Sequence, residues 1–244
     1  MLADKFVKYK KKVAIIDFSG NKDLYEMHIF NEDVTEEALI DLLNDENKPY
    51  KLDNKVLLYT ATPNSNFSME LNNIFKIINK VKENNDIVLI DIDRNELHKI
   101  YHLVDKLFIV IDQDLTNTKE FTSSISIQEN LLALKTTNKF QFIINKYIFH
   151  KDLLDDRELV ECYCHKIEDY NNVNMNTKLI KNINEILRLN FSEDIVISTY
   201  TSKFTNYNIE EIDSQISYIC NKAYPLKKEK NKGMFLGRLF NKKR

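Results

Sequence analysis

Short apolar runs alternate with segments of helical periodicity along most of this chain. Six runs have the length and composition of strands: VAIIDF at 13–18, KVLLYTA at 55–61, DIVLIDI at 86–92, KLFIVID at 106–112, KFQFIIN at 139–145 and DIVISTY at 194–200. Continuous apolar strands of this kind are typical of a parallel sheet that is covered on both faces.

The segments between the strands carry apolar residues at helical spacing. Helices are predicted at 35–45, 68–84, 95–103, 117–135, 176–190 and 209–223, with the end of another before residue 13. In the 68–84 segment, positions 71, 74, 75, 78 and 81 form one apolar face. Alternating strands and helices predict an α/β fold with a mostly parallel sheet and helices on both faces.

The end of the chain differs in charge from the rest. The whole chain of 244 residues carries −2, but the segment from Lys227 to Arg244 has eight basic residues against Glu229, which is +7 and leaves −9 for the remainder. We therefore predict one domain over 1–224, a basic linker over 225–232 and an amphipathic tail over 233–244. A basic tail on an acidic body indicates an anionic partner, either phospholipid or nucleic acid; a solvated tail without a partner is the alternative.

Three of the predicted strands have aspartate as their last or next-to-last residue, and one ends in asparagine. These residues are Asp17, Asp91, Asp112 and Asn145. Parallel sheets bind ligands outside the carboxyl ends of their strands, so we expect these side chains at one edge. Carboxylates at such an edge are typical of a site for nucleotide and magnesium.

The loop that would hold the phosphates of a nucleotide is missing. The chain contains three glycines, Gly20, Gly233 and Gly237, and no GxxxxGK[ST] segment. That loop needs glycines close together, because its backbone approaches the phosphates in conformations that side chains disfavour. Gly20-Asn21-Lys22 has one glycine and one lysine after a strand, which indicates a turn and no substitute for the loop.

Metal-binding patterns are weak in this sequence. Cys162 and Cys164 form a C-x-C pair followed by His165, but no second ligand cluster accompanies them, which favours reduced thiols. His98 and His102 have the i, i+4 spacing of a metal pair, yet HKIYH lacks the glutamate of a zincin motif. No metal site is predicted from these residues.

Four segments resemble the MinD/ParA group of deviant P-loop ATPases, which includes a pilus-assembly branch. They are KKVAIIDFS, NNDIVLIDID, LVDKLFIVIDQD and FQFIINKY, in the family's order and spacing over roughly residues 3–150. The resemblance implies that Asp17 is the carboxylate near magnesium and the attacking water, and that Asp91 is the Walker B aspartate. It also implies that Asn145 reads adenine and that the cofactors are ATP or ADP with Mg²⁺.

The sequence departs from the family pattern in several places. Ser19 stands where a second aspartate is usual, and no glycine follows Asp91. LADKFVKYKKKVAIID is similar to the helix and strand after the family's P-loop, which would place Met1 inside that helix. The resemblance therefore implies that the first strand and the P-loop are absent, through a gene start set too late or natural degeneration. Unpaired backbone is then expected in the sheet, with weak or absent nucleotide binding.

The tail KGMFLGRLFNKKR resembles the membrane-targeting helix that ends MinD proteins. We expect its apolar face and neighbouring basic residues to bind an anionic membrane: Met234, Phe235, Leu236, Arg238, Leu239, Phe240, Lys242 and Lys243. Such a short helix is marginal in water and should fold on the membrane or on a partner. The expected location is cytoplasmic, peripheral on the inner face of the cell membrane.

Together these features predict a protein for the spatial positioning or assembly of a bacterial machine, such as division, pilus, flagellum or conjugation. A chain with this sequence should not hydrolyse ATP, because it has no array of hydrogen-bond donors to neutralise the β- and γ-phosphates. Two alternatives remain: a truncated form of an ATPase that dimerises on ATP, and a segregation factor that binds DNA. A homodimer and a protein partner from the positioning or secretion machine are also implied by the resemblance.

Overall fold

A computed structural model of the chain describes residues 2–29, 37–93, 96–113, 140–151, 153–165, 186–190 and 210–225. Its helices are α1 Leu2–Lys8, α2 Asp23–His28, α3 Ala38–Leu43, α4 Leu71–Asn84, α5 Leu97–Ile100, α6 Asp156–His165 and α7 Glu210–Ala223. Its strands are β1 Val13–Asp17, β2 Tyr50–Lys51, β3 Leu57–Tyr59, β4 Ile87–Asp91, β5 Leu107–Asp112, β6 Phe140–Tyr147 and β7 Ile186–Asn190.

Most of the predicted elements are confirmed within these ranges. The apolar runs that form strands are those predicted at 13–18, 55–61, 86–92, 106–112 and 139–145. The helices predicted at 35–45, 68–84, 95–103 and 209–223 are present, three of them shorter than the sequence indicated. The helix predicted at 117–135 and the strand predicted at 194–200 lie outside the described residues.

The strands form two sheets. In the first, β1 lies parallel to β3 and to β4, and the short β2 pairs antiparallel with β3, giving the order β2-β3-β1-β4. In the second, β5, β6 and β7 are all parallel. The α/β architecture with mostly parallel strands is thus confirmed, although its strands are divided between two sheets.

Strand β4 ends the first sheet and strand β5 ends the second. Within the described residues these strands do not pair with each other. Ile87 N–H and Asp91 C=O bond to the β1 side, so the backbone groups of the alternate residues Val88 and Ile90 point the other way. The described part of the sheet therefore has an open backbone edge beside β4.

Both faces of the first sheet are covered by helices. Ala14 and Ile16 of β1 are fully buried in a cluster that includes residues of α3 and α4. Val13, one residue out of phase, packs on the opposite face with residues of α1 and α7. Side chains of a strand alternate between faces, so this single strand carries two halves of the core.

Helix α7 connects the two sheets. Its Ile212 and Ile216 are buried against the first sheet and α1. One turn later, Ile219 packs with Ile143 of β6 and Leu187 of β7. The two sheets therefore share a helix, although the described strands do not hydrogen-bond across the gap between them.

The prediction of a helix over 176–190 is wrong at its end, where residues 186–190 form strand β7. This strand pairs with β6 in parallel, with Leu187 opposite Ile143 and Arg188 opposite Ile144. Leu187 is buried and Arg188 is exposed, as in a half-covered strand. Apolar residues at 179, 180, 183, 186 and 187 also fit a helical period, so local periodicity does not separate the two structures. Pairing with β6 decides between them.

Candidate functional site at the carboxyl edge of the sheet

Asp17 and Asp91 lie next to each other at the carboxyl ends of β1 and β4. They are register partners in the parallel ladder, and the backbone of Phe18 continues the pairing by donating to Asp91 O at 2.7 Å. Their environments differ, because Asp17 is fully buried whereas Asp91 is exposed. The sequence prediction that these carboxylates share one edge is confirmed by this register.

Asp17 is held by donors from two neighbouring segments. Its Oδ1 accepts hydrogen bonds from Ser19 N at 3.0 Å and from Ser19 Oγ at 2.6 Å, and its Oδ2 accepts one from Thr60 Oγ1 at 3.0 Å. Thr60 follows β3 directly, so it reaches Asp17 from the adjacent strand end. Both oxygens of the buried carboxylate are therefore engaged by the chain itself.

Lys22 points into the same edge. Its backbone has φ 54° and ψ 38°, and its side chain is only 8% exposed. Lys22 Nζ donates to the backbone carbonyl of Asp17 at 3.1 Å. Burial lowers the pKa of the Lys22 ammonium, while the charges of Asp17, Asp93 and Asp91 oppose that shift. Residues 20 and 21 form a bend, and the sequence interpretation missed the buried lysine that follows it.

The one glycine at this edge is bound by a carboxylate of the protein. Gly20 N donates to Asp93 Oδ2 at 2.7 Å. A Cβ atom at Gly20 would lie 2.9 Å from the same oxygen, so the absence of a side chain permits this close approach. The backbone amide of Gly20, which could otherwise bind an anion, is therefore already occupied by the carboxylate of Asp93.

The pKa of Asp91 is raised above its ordinary value. Asp91 keeps contact with solvent, but protein atoms crowded around the strand end displace part of its water, which is the main cause. The negative charges of Asp17, Asp93 and Asp23 raise the pKa further, and a hydrogen bond from the Ile92 backbone opposes them. The edge is therefore acidic even with Lys22 present.

Asn145 belongs to the second sheet. It pairs in register with Asp112 at the end of β5, and its side chain is half-buried. Within the described residues, no hydrogen bond joins Asn145 to Asp17 or Asp91. The structure thus forms two strand-end pairs and gives no contact that would assign Asn145 to an adenine ring.

Other predicted residues fall outside what the structure describes. The tail residues 233–244 lie in the undescribed part, as do the side chains of Cys162, Cys164, His165 and His98. Among the described residues, no group of three or more His, Cys, Asp or Glu side chains is placed to hold a metal ion. No helix in the described ranges is both long and apolar enough to cross a membrane.

This arrangement does not fit magnesium with a nucleotide. Mg²⁺ prefers open carboxylate oxygens and retained waters, but the oxygens of Asp17 already accept bonds from Ser19 and Thr60. The Gly20 amide is occupied by Asp93, and the charge of the edge is net negative, which repels phosphates. In this conformation the edge is a closed polar network.

Sequence reasoning could identify only part of this network. Asp17 and Asp91 are visible because they end apolar runs. Thr60 has a weaker signal of the same kind, since it is the first polar residue after LLY. Lys22 has no such signal, because the direction of its side chain depends on a left-handed backbone after β1.

The chain has the fold of the MinD/ParA-type proteins. It is similar to the MinD of a MinC:MinD cell division complex from Aquifex aeolicus, with a TM-score of 0.59, 15% identity, and 91% and 86% of the two chains covered. It is also similar to apo McdA from Cyanothece, with a TM-score of 0.62, 13% identity and 91% of each chain covered.

A third similar structure is a ParA family ATPase from Chlorobium tepidum, with a TM-score of 0.57, 15% identity, and coverage of 90% of this chain and 91% of the other. No protein-family model matches the sequence. No curated protein matches it either. Identities this low establish the fold, and function has to be argued from the site.

Proposed function

We propose that this protein is a membrane-associated MinD/ParA-like factor for the positioning or assembly of a bacterial machine, and that this chain does not hydrolyse ATP. The proposed lack of ATP hydrolysis rests on the closed edge of the sheet, where the oxygens of Asp17 and the amide of Gly20 bind groups of the protein itself. The positioning role is supported by the fold, since similar structures include a cell division complex and a plasmid partition protein.

The absence of hydrolysis follows from what transfer of a phosphoryl group requires. Charge develops on the β- and γ-phosphates, and donors or cations must already be aimed at them. The sequence of 244 residues has no GxxxxGK[ST] segment, and the strand edge presents carboxylates to solvent. Similar structures contain Mg-ADP or AMPPNP, but the residues of this edge are arranged differently from a phosphate cradle.

Turnover and binding of ATP by the purified chain test this proposal. We expect no phosphate release above the blank, with or without liposomes. Asp91→Ala is the control, because it removes the carboxylate that the family resemblance assigns to Walker B. Turnover that Asp91→Ala abolishes would overturn the proposal, whereas turnover that the variant leaves unchanged identifies a contaminating ATPase.

Membrane association is proposed for the tail at 233–244, from its sequence alone. Phe235, Leu236, Leu239 and Phe240 would enter the bilayer interface while Arg238, Lys242 and Lys243 meet anionic headgroups. The wild type should float with phosphatidylglycerol liposomes, and the Phe235→Glu variant should no longer float with them. The matched control is Phe149→Glu, which replaces a phenylalanine 84% exposed on the described body and should still float.

DNA binding by the same basic tail is the competing outcome. If the wild type binds duplex DNA but not liposomes, and Phe235→Glu leaves DNA binding unchanged, the tail serves nucleic acid and the membrane proposal fails.

We also propose a homodimer and a protein partner from the positioned machine, as in the MinC:MinD complex of the similar structure. Light scattering on the purified chain would measure the mass of the particle and so test the dimer.

A further inference from the structure

Strands β4 and β5 end their sheets on sides that lie close together. Within the described residues, β4 pairs with β1 alone and β5 with β6 alone. Ile92, which follows β4, and Val104, which precedes β5, each pack against the core clusters of both sheets. On the opposite face, Leu2 of α1 and Leu189 of β7 also pack against two clusters, one on each sheet. These contacts hold the two edges beside each other, and we call the space between β4 and β5 the strand slot.

The side chains of β4 are exposed in a way that an uncovered face would not produce. Val88 and Ile90 point to one face of the sheet and Leu89 to the other, yet all three are partly exposed. In the neighbouring strand β1, Ile16 is fully buried. Val110 of β5 lies within an apolar strand and is 59% exposed. Exposure on both faces of β4 indicates that, among the described residues, it lacks a second neighbour in the plane of the sheet.

The backbone of β4 carries the groups that would pair with such a neighbour. Ile87 N–H donates to Lys12 O at 3.1 Å, so the odd-numbered residues of β4 bond to β1. The N–H and C=O groups of Val88 and Ile90 consequently point into the strand slot. Groups of this kind at a sheet edge bind an extended segment of another chain through main-chain hydrogen bonds.

We propose that the strand slot binds an extended apolar segment of a partner protein, which adds a strand between β4 and β5. The segment would be about five residues long, like β4, and apolar throughout because both faces of the sheet are covered. A basic residue would follow it, since the exposed Asp91 lies at the carboxyl end of the slot. The inference rests on the proposed protein partner, but its test uses a synthetic peptide, so its failure would leave the positioning role standing.

Amide exchange measured by NMR on the protein without any partner is the first test. The amides of Val88 and Ile90 should exchange about 100-fold faster than the amide of Leu89, which bonds to β1. Equal protection of the three amides would overturn the inference, because the slot would then be filled by the chain itself. Protection that grows with protein concentration would identify a second copy as the occupant and would also overturn it.

The second test adds a capped peptide of sequence KVIVIVKK. Saturating peptide should slow exchange at Val88 and Ile90 at least ten-fold and leave Leu89 unchanged. The matched control peptide, KVIPIVKK, has a proline at its centre, which removes an N–H donor and should prevent strand pairing. No change with the first peptide, or the same change with both, would overturn the inference.

Two proline variants of adjacent residues test the slot from the side of the protein. Val88→Pro removes an N–H that faces the slot, whereas Leu89→Pro removes one that bonds to β1. Val88→Pro should therefore lower Tm much less than Leu89→Pro, and it should abolish binding of KVIVIVKK. A Val88→Pro variant that binds the peptide as the wild type does, or that is destabilised as much as Leu89→Pro, would contradict the proposed pairing.

Discussion

The carboxylates of Asp17 and Asp91 end neighbouring strands in the same register, yet they meet opposite environments. Asp17 is fully buried and accepts three hydrogen bonds, from donors on Ser19 and Thr60. Asp91 faces solvent and the negative charges of its neighbours. Because Asp17 accepts hydrogen bonds from three donors whereas the pKa of Asp91 is raised, replacing the two carboxylates should affect stability differently.

Asp17→Asn should lower the free energy of unfolding by about 3 kcal/mol, because a buried acceptor is replaced by a group that directs an NH₂ at existing donors. Urea denaturation at pH 7 measures the change. Asp53→Asn is the matched control, since Asp53 is exposed and its replacement should have little effect. A loss at Asp17 no greater than at Asp53 would show that the network around Asp17 does not stabilise the fold.

Asp91 should titrate above an ordinary aspartate in the folded protein. A raised folded pKa means that the contribution of Asp91 to stability is fully present below the unfolded pKa, about 3.9, and is lost as the pH rises through the folded pKa. Carbon-13 NMR of the Asp91 carboxyl as a function of pH measures the shift. Asp91→Asn should leave stability unchanged or higher at pH 7, and a clear loss would contradict this account.

At the scale of single elements, helix α4 shows how periodicity becomes packing. Its Ile74, Ile77, Ile78 and Val81 are buried, while Leu71 and Phe75, at one edge of the same apolar surface, are exposed. The sequence pattern predicts that positions 71 and 75 belong to the apolar face. It therefore predicts the helix correctly, but it predicts only part of the buried side. The sheet selects which side of the broad apolar surface is covered.

Replacement of Ile77 by alanine should cost about 2–5 kcal/mol, because the side chain is fully buried and a cavity remains. Phe75→Ala in the same helix removes a larger side chain that is 53% exposed, and should cost no more than about 0.5 kcal/mol. Thermal or urea unfolding of both variants gives the comparison. Similar losses in the two would mean that Phe75 is covered in solution.

Strand β7 shows the limit of local pattern at the same scale. ILRLN has apolar residues that fit a helix continued from upstream, and β-structure is decided by pairing with a neighbour. Leu187 is buried between β6 and α7, and that contact is between segments far apart in sequence. No window of ten or twenty residues contains this information.

For the whole molecule, α7 is the element that both sheets share. Ile216 is buried with residues of the first sheet, and Ile219 with residues of β6 and β7. Lys5 of α1 also forms an ion pair with Asp213 of α7, with Lys5 Nζ 2.5 Å from Asp213 Oδ2. The amino-terminal and carboxyl-terminal helices of the described body therefore stabilise each other.

Ile216→Ala and Ile219→Ala form a matched pair on this helix. Amide hydrogen exchange should speed up mainly in β1 and β4 for Ile216→Ala, and mainly in β6 and β7 for Ile219→Ala, because each alanine loosens the sheet that its side chain contacts. Mass spectrometry of the exchanged protein resolves the strands. Identical exchange maps for the two variants would show that the sheets open as one unit.

The sequence by itself determined the alternation of strands and helices, the mostly parallel pairing, and the carboxylates at the ends of β1 and β4. These follow from periodicity, since apolar runs and their first polar residues are local properties of a chain. Only the tertiary structure decided the division into two sheets, the strand at 186–190 and the burial of Lys22 against Asp17. These three features depend either on contacts between distant segments or on a backbone angle that places a side chain. A local pattern of apolar and polar residues encodes neither of these causes.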